Sequence, residues 1–237
     1  MNQPILMSAG VVMPVRLLIV DDHEVVRQGL RVFLASDPSI EIVGEAADGL
    51  EALDLARDLH PEVVLMNLVM PRMDGITATA LLLAEHPDTK VLILTSELQD
   101  ERLVAAMRAG ATGYLLKSTT AQELRQAIQS AALGKIQLAP EALAHLMQDI
   151  RTPPTPDPLS EEPLTERETA TLRLLAQGFS NKEIASQLQV TEQTIKSHVH
   201  NLLNKLRLSS RTQAALYAVR IGLVDQQQVP KEPAAND

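Results

Sequence analysis

Short apolar runs alternate with amphipathic segments along the first 135 residues of the chain. The runs read VRLLIV, EIVGEA, EVVLM, KVLILT and TGYLL, and helical periodicity follows them at 24–35, 50–59, 75–85, 100–109 and 121–133. Largely apolar strands need cover on both faces, which is typical of parallel sheets. The pattern therefore predicts five strand–helix units that form a parallel sheet with helices on both sides.

A proline-rich stretch separates this part of the chain from a second part that has no strand pattern. Residues 152–163 hold five of the 14 prolines, and four helical patterns follow them. Thr165 and Glu168 match a capping box, and Thr191 is placed to cap the third of these helices. We divide the chain into an N-terminal extension (1–14), an α/β domain (15–135), a helical and proline-rich linker (136–163), an all-α four-helix domain (164–225) and a disordered tail (226–237).

Composition and charge narrow the classes of protein that fit. The chain has 237 residues, a net charge of −9, no cysteine and no apolar run long enough for a membrane span. These values favour a cytoplasmic protein without disulfides or thiolate metal sites. The negative charge is uneven, however, because residues 178–211 carry five basic and two acidic side chains. This modest basic segment is compatible with nucleic-acid binding.

Polar side chains end four of the five predicted strands. The first run stops at Asp21 and Asp22, the third at Asn67, the fourth at Thr95 and the fifth at Lys117. Ligands of open parallel sheets bind at the carboxyl ends of the strands, where these side chains would meet. Paired carboxylates suit Mg²⁺, while a lysine and a threonine can bind phosphoryl oxygens. The arrangement favours phosphoryl chemistry over the alternative that each residue merely ends its strand.

Four segments resemble the receiver domains of two-component response regulators: VDDHEVVRQGL, VVLMNLVMPRMDG, ILTS and AGATGYLLK. The resemblance implies a flavodoxin-like, doubly wound five-stranded sheet of order 2-1-3-4-5. It also implies phosphorylation by a sensor histidine kinase and a Mg²⁺ cofactor. The residues that it assigns are Asp21, Asp22 and Asn67 at the metal, Asn67 at the phospho-acceptor position, and Thr95, Tyr114 and Lys117 as the residues that sense the phosphoryl group.

Asn67 departs from the receiver pattern, in which an aspartate accepts the phosphoryl group. A carboxamide is a poor nucleophile and cannot form the acyl phosphate. It also removes one anionic ligand, so we expect Mg²⁺ to bind more weakly. Asn67 is either the natural residue of an atypical regulator or an engineered replacement that holds the inactive state. We favour the engineered replacement, because the other residues of the site are retained.

The segment LTERETATLRLLAQGFSNKEIASQLQVTEQTIKSHVHNLLNKL resembles the LuxR-type helix-turn-helix of the NarL/FixJ class of response regulators. A scaffold helix at 181–188 and a recognition helix at 192–206 suit the major groove of DNA. His198 and His200 cannot share a metal ion, because residues two apart on a helix face different directions. Helix 210–221 is either a dimerisation helix or packs only within its own domain. The predicted DNA-contacting residues are Ser180, Asn181, Lys182, Thr191, Thr194, Lys196, Ser197, His198, His200 and Lys205.

Together these resemblances imply a cytoplasmic transcriptional response regulator that is not an enzyme. Its expected partners are double-stranded promoter DNA, a sensor histidine kinase and a second copy of the chain, with no membrane involved. One alternative is a regulator that works independently of phosphorylation. Another is a Mg²⁺-dependent phosphohydrolase that uses Asp21 and Asp22, but that enzyme would lack a nucleophile.

Overall fold

The protein is described from a computed structural model, which covers residues 13–96, 100–135, 137–138, 164–206, 208 and 210–224. Residues 1–12 of the predicted N-terminal extension, the predicted disordered tail and most of the predicted linker lie outside the described residues. No helix in the described ranges is long and apolar enough to cross a membrane.

The first domain is a parallel sheet of order β2-β1-β3-β4-β5-β6. The order of the first five strands confirms the expected flavodoxin-like topology. The sixth strand was not predicted: it consists of two residues inside the predicted linker and pairs with β5. The strands are β1 Val15–Val20, β2 Ile40–Ala46, β3 Val63–Met66, β4 Lys90–Thr95, β5 Gly113–Leu116 and β6 Gln137–Leu138.

Five helices cover the two faces of this sheet, which makes the fold doubly wound. Successive residues of a strand point to opposite faces, so Leu17 of β1 packs under α1 and α5 while Leu18 packs under α2, α3 and α4. Both residues are fully buried. The helices are α1 Glu24–Leu34, α2 Gly49–Leu59, α3 Gly75–Glu85, α4 Asp100–Ala109 and α5 Ala121–Ala132.

The second domain is all-helical, as predicted. Thr165 and Ser180 begin the first two of its helices with capping boxes. Gln189 ends the second helix in the left-handed conformation, at φ 54°, and so opens the short turn before the third. Buried apolar residues from all four helices form one core. The helices are α6 Glu166–Ala176, α7 Asn181–Leu188, α8 Glu192–Lys205 and α9 Arg211–Arg220.

Candidate functional site

The polar residues predicted to meet at the end of the sheet lie on four neighbouring strands. Asp21 and Asp22 follow β1, Asn67 follows β3, Thr95 is the last residue of β4, and Lys117 follows β5. Strands β1, β3, β4 and β5 are adjacent and parallel, so their carboxyl ends share one edge. We call the five residues the acidic site.

Asp21 and Lys117 form the tightest contact of the acidic site. The Nζ of Lys117 lies 2.5 Å from Oδ2 of Asp21, and these side chains are 18% and 2% exposed. The backbone N–H of Lys117 donates to the carbonyl of Thr95 at 2.7 Å, and this hydrogen bond holds Lys117 beside the end of β4. The Lys117 ammonium group is therefore held against Asp21 at the edge of the sheet, where a lysine can also neutralise a phosphoryl oxygen.

Asn67 is 6% exposed, and its amide group is held by two acceptors. Its Nδ2 donates to Oδ1 of Asp22 and to the carbonyl of Val69, both at 2.9 Å. Because both partners can only accept, they fix the orientation of the amide. An aspartate in the same position would place a carboxylate oxygen against these two acceptors. The aspartate would therefore need either a bound cation between the oxygens or a rotamer that turns its carboxylate away from the two acceptors.

His23 contacts two residues of the acidic site, although the sequence analysis assigned it no role. Its Nδ1 lies 2.9 Å from Oδ1 of Asp22 and 3.2 Å from Oδ1 of Asp21. Its backbone N–H donates to Asp21 as well, at 2.9 Å. The sequence signal was simple adjacency, since His23 directly follows the acidic pair.

The donor set of the acidic site fits a hard divalent cation in part. Ligand atoms of Asp21, Asp22 and His23 lie within 4.8 Å of one another. Mg²⁺ prefers oxygen ligands in a near-octahedral arrangement and keeps several waters. The two carboxylates can supply such oxygens, but the Asn67 Nδ2 donor that points at Asp22 must first turn away.

A glycine sets the spacing of the loop beside Asn67. Gly75 begins α3, and its N–H donates to the carbonyl of Leu68 at 2.9 Å. A Cβ atom at Gly75 would lie 2.1 Å from the backbone oxygen of Asn67, far closer than real Cβ contacts. Only glycine allows this approach. Asp74 caps the helix by accepting from the N–H of Thr77 at 2.8 Å.

Thr95 of the acidic site and Tyr114 lie on the paired strands β4 and β5. Thr95 is 7% exposed and pairs with Leu116, while Tyr114 is 1% exposed and pairs with Ile93. Tyr114 packs in the apolar cluster that α4 shares with the sheet. The ring is therefore in an inward position in this structure.

The predicted DNA-contacting residues lie mainly on α8. Ile195, Val199 and Leu202 bury one side of this helix in the core of the second domain. Residues on the opposite side are accessible: Lys196, Ser197 and His200 are exposed, while Thr194 and His198 are half-buried. The hydroxyls of Thr191 and Thr194 are 2.7 Å apart at the start of the helix.

Some predicted contacts already have partners within the protein. Ser180 is 4% exposed and its hydroxyl caps α7, and Asn181 accepts from Arg211 at 2.9 Å. Lys205 lies 2.9 Å from Glu168, whose pKa is lowered by the Thr165 amide and by this lysine. Lys182 is exposed.

Comparison with known proteins finds matches for both domains. Residues 17–129 match the response regulator receiver domain, and residues 162–218 match the bacterial regulatory proteins of the luxR family. The transcriptional regulatory protein LiaR of Bacillus subtilis is 44% identical over 211 residues, which is 89% of this chain and 100% of LiaR.

Two solved structures of the response regulator RcsB are also similar to this chain. The protein from Salmonella typhimurium, solved in a study of conformational dynamism for DNA interaction, is 26% identical with a TM-score of 0.52, covering 87% of this chain and 99% of that one. A structure of two RcsB dimers bound to two parallel DNAs is 25% identical with a TM-score of 0.52, covering 90% of this chain and 100% of that one.

Proposed function

This chain belongs to the response regulators that join a receiver domain to a LuxR-type helix-turn-helix domain, and from that premise we propose that it is a transcription factor whose phosphorylation step is blocked at Asn67. The observation that carries the proposal is the acidic site. Asp21, Asp22 and Lys117 are in contact or adjacent there, around an amide that cannot accept a phosphoryl group.

The retained residues keep their separate tasks. Lys117 would neutralise an oxygen of a phosphoryl group, and Thr95 would donate its hydroxyl to another. When bound, Mg²⁺ would neutralise charge on the phosphoryl oxygens. Asp21 and Asp22 would hold it. The step that is lost is attack by a carboxylate oxygen at position 67, and the chain has no catalytic turnover in this proposal.

Asn67 also weakens the binding of Mg²⁺ in this proposal. The amide contributes no charge, and its Nδ2 already satisfies Asp22 at 2.9 Å. A metal ion would have to break this hydrogen bond, and it would have one anionic ligand fewer than in a receiver with aspartate at position 67. The site with Asn67 is therefore complete without a cation.

We assign Asn67 to an engineered replacement of aspartate that holds the inactive state. This assignment is supported by the other residues of the site, which are all retained. A buried pair such as Asp21–Lys117 would serve no purpose in a regulator that is never phosphorylated. A natural regulator that works without phosphate is the alternative, and the experiment below separates the two.

The partners follow from the two domains. A sensor histidine kinase would deliver phosphoryl groups to the receiver, and double-stranded promoter DNA would receive α8 in its major groove. Two copies would bind neighbouring half-sites, as RcsB dimers are bound to DNA in the similar solved structure. We place the protein in the cytoplasm, where such DNA and kinase domains are found.

The test compares this chain with Asn67→Asp after treatment with Mg²⁺ and a small phosphodonor. Intact mass should show one phosphoryl group on Asn67→Asp and none on the parent chain. The elution volume in gel filtration and the affinity for promoter DNA at one stated salt concentration should then change only for the phosphorylated variant.

Asn67→Ala is the matched control, since it also lacks a carboxylate and should remain unmodified. Phosphorylation of the parent chain at Asn67 would overturn the proposal. An Asn67→Asp chain that takes up phosphate without any change in assembly or DNA affinity would favour the phosphate-independent regulator.

A further inference from the structure

Two turns at the amino end of the receiver sheet carry the same sequence pattern. Residues 60–62, between α2 and β3, read His-Pro-Glu, and residues 86–88, between α3 and β4, read His-Pro-Asp. Strands β3 and β4 are parallel neighbours in which Val63 pairs with Lys90, so the two turns lie side by side. They are at the opposite edge of the sheet from the acidic site. We call His60 and His86, the first residues of these turns, the histidine pair.

Hydrogen bonds to backbone carbonyls fix the two turns relative to each other. The N–H of Lys90 donates to the carbonyl of Glu62 at 2.9 Å. The hydroxyl of Thr89 is buried and donates to the carbonyl of Pro61 at 3.0 Å. His60 ends α2 in the left-handed conformation, at φ 45°. The backbone therefore holds the two members of the histidine pair at a set separation.

The imidazole rings of the histidine pair meet between the two turns. Their centroids are 6.0 Å apart, and their planes make an angle of 67°. His60 is exposed and His86 is half-buried. The Nε2 atom of His86 is buried and has no hydrogen-bond partner in the part of the chain that the structure describes. Such a nitrogen costs free energy, and a ligand that coordinates it would remove that cost.

The spacing of the two rings matches that of two imidazoles on one metal ion. A Zn–N bond of about 2.0–2.1 Å places the ion roughly 3 Å from the centroid of each ring. Two rings in a tetrahedral arrangement then have centroids on the order of 5–6 Å apart. The 6.0 Å between His60 and His86 lies at the upper end of that range. A small rotation of the side chains would therefore bring both rings onto one ion.

Acidic side chains surround the histidine pair. A cavity of about 370 Å³ is lined by both rings and by Glu62, Glu85 and Asp88. Glu85 is held by Arg57 through hydrogen bonds of 2.7 and 2.9 Å, which also pair the charge of this arginine. Glu62 and Asp88 are exposed and can turn towards the rings. The surroundings therefore attract a divalent cation and offer it carboxylate oxygens as further ligands.

The types of ligand favour a transition metal over Mg²⁺. Imidazole nitrogen suits Zn²⁺, Cu²⁺ and Ni²⁺, whereas Mg²⁺ prefers oxygen. Within the described residues, three ligand atoms lie within 4.8 Å of one another only at Asp21, Asp22 and His23. The two turns thus offer two nitrogens as they stand, and water or a rotated carboxylate must complete the coordination. Such an open site binds a metal ion more weakly than a closed site with four protein ligands.

We propose that the histidine pair is a binding site for a divalent transition metal of the Zn²⁺ class, which ties the α2–β3 turn to the α3–β4 turn. One nitrogen of each ring binds the ion, and Glu62 or Asp88 and water complete its coordination. The site is separate from the acidic site and does not depend on phosphorylation or on DNA binding. The alternative is that the two rings only pack edge to face.

Nuclear magnetic resonance of the full, unaltered chain titrated with Zn²⁺ tests whether the ion is shared. The imidazole nitrogen resonances of His60 and His86 should shift together, at the same Zn²⁺ concentration, and Mg²⁺ alone should shift neither. Rings that shift at different concentrations, or that do not shift, would overturn the proposal and leave edge-to-face packing. This readout needs no substitution in either turn.

Isothermal titration calorimetry with Zn²⁺ then measures what each ring contributes. His60→Asn suits the left-handed backbone at this position, since Asn tolerates positive φ, and His86→Gln keeps a polar side chain. Each variant should weaken Zn²⁺ binding by at least about tenfold, because loss of even an outer partner of a metal ligand costs roughly 10–100-fold. The double variant should lose little more than either single variant, since one imidazole holds the ion poorly on its own. Losses that simply multiply would contradict a shared ion.

The competing location for Zn²⁺ is the acidic site, and His23→Gln tests it. This variant removes an exposed imidazole that contacts two carboxylates, and it should still bind Zn²⁺ at the histidine pair. Thermal unfolding in a chelator should give the same midpoint for all variants, which verifies that they fold. Added Zn²⁺ should raise the midpoint of the parent and of His23→Gln, but not of His60→Asn or His86→Gln. Loss of binding in His23→Gln together with full binding in His86→Gln would place the ion at the acidic site and overturn the proposal.

Discussion

The acidic site and the DNA-contacting side of α8 are built in opposite ways. The acidic site draws on four strands that are far apart in sequence, and its five residues are buried or half-buried and bonded to one another. The DNA-contacting side of α8 comes from one helix, and its residues are exposed or half-buried. The first therefore depends on the fold to bring its residues together. The second depends only on the core that holds one helix in place.

The largest effect should come from the core behind α8. Leu202 is fully buried on the side of the helix that faces away from solvent. Leu202→Ala should lower the free energy of unfolding of the second domain by about 2–5 kcal/mol and remove DNA binding. Denaturant unfolding followed by circular dichroism measures the loss.

The same experiment tests whether the two regions are independent. If they are, Leu202→Ala combined with Asn67→Asp should still accept a phosphoryl group from a small phosphodonor. If the double variant loses phosphorylation when its second domain unfolds, the acidic site depends on the second domain as well as on its own sheet.

A smaller effect is expected from the glycine beside Asn67. Gly75→Ala forces a Cβ atom against the Asn67 carbonyl, so it should destabilise the receiver by about 1–3 kcal/mol. Gly29→Ala is the matched control, because a Cβ at Gly29 meets nothing within 4 Å. Removing a glycine from the middle of α1 should stabilise the receiver by about 0.5–1 kcal/mol. Thermal unfolding midpoints should move in opposite directions, and equal shifts would contradict the account of Gly75.

A single contact on the exposed side of α8 should matter less. Lys196→Ala should weaken promoter binding by about 1 kcal/mol and reduce the salt slope of the binding constant by about 0.9. Arg173→Ala removes the same charge from an exposed position on α6 and should leave both values unchanged. Titrations at several salt concentrations measure the slope. Equal losses in the two variants would indicate a general charge effect.

The smallest expected effect is the loss of stability at acidic pH that comes from Glu183. The ion pair with Lys135 lowers the pKa of Glu183 to about 2, below its ordinary value of 4.5. A lowered pKa in the folded state means that the stabilisation is present above about pH 4.5 and is lost as the pH falls towards 2. Glu183 is 42% exposed, so solvent screening limits the effect to about 0.2–1 kcal/mol.

Lys135→Met isolates this contribution, because it leaves the capping role of Glu183 intact. The stability of the variant should fall less steeply than that of the parent between about pH 5 and pH 3. Thermal midpoints across that range measure the difference. Identical slopes would contradict a role for the pair.

Local patterns predicted most of the elements from the sequence. The bounds of α3, α4 and α7 agree with the prediction, and those of α1, α2, α5, α8 and α9 differ by one residue at one or both ends. Apolar periodicity and caps such as Thr165 lie within a few residues of the helices that they define, which explains the agreement. Strand β6 was missed because a strand of two residues is too short to show a pattern.

Contacts between distant residues could not be predicted in the same way. Nothing near Lys205 indicated its pairing with Glu168, 37 positions away. The contact of Thr212 with Ala111 spans 101 positions. Strand ends brought Asp21, Asn67 and Lys117 together correctly, because sheet topology fixes where parallel strands stop. Side-chain contacts across domains have no such rule.

The burial of Asn67 has a consequence for competition between regulators. At 6% exposure, the residue contributes almost nothing to the outer surface of the receiver. A kinase that docks on that surface would meet the same shape whether position 67 is Asn or Asp. If the chain is expressed together with a receiver that has aspartate at this position, both would compete for the docking surface of the kinase. This chain would bind the kinase without accepting its phosphoryl group. It would therefore lower phosphorylation of the other receiver in proportion to its own concentration.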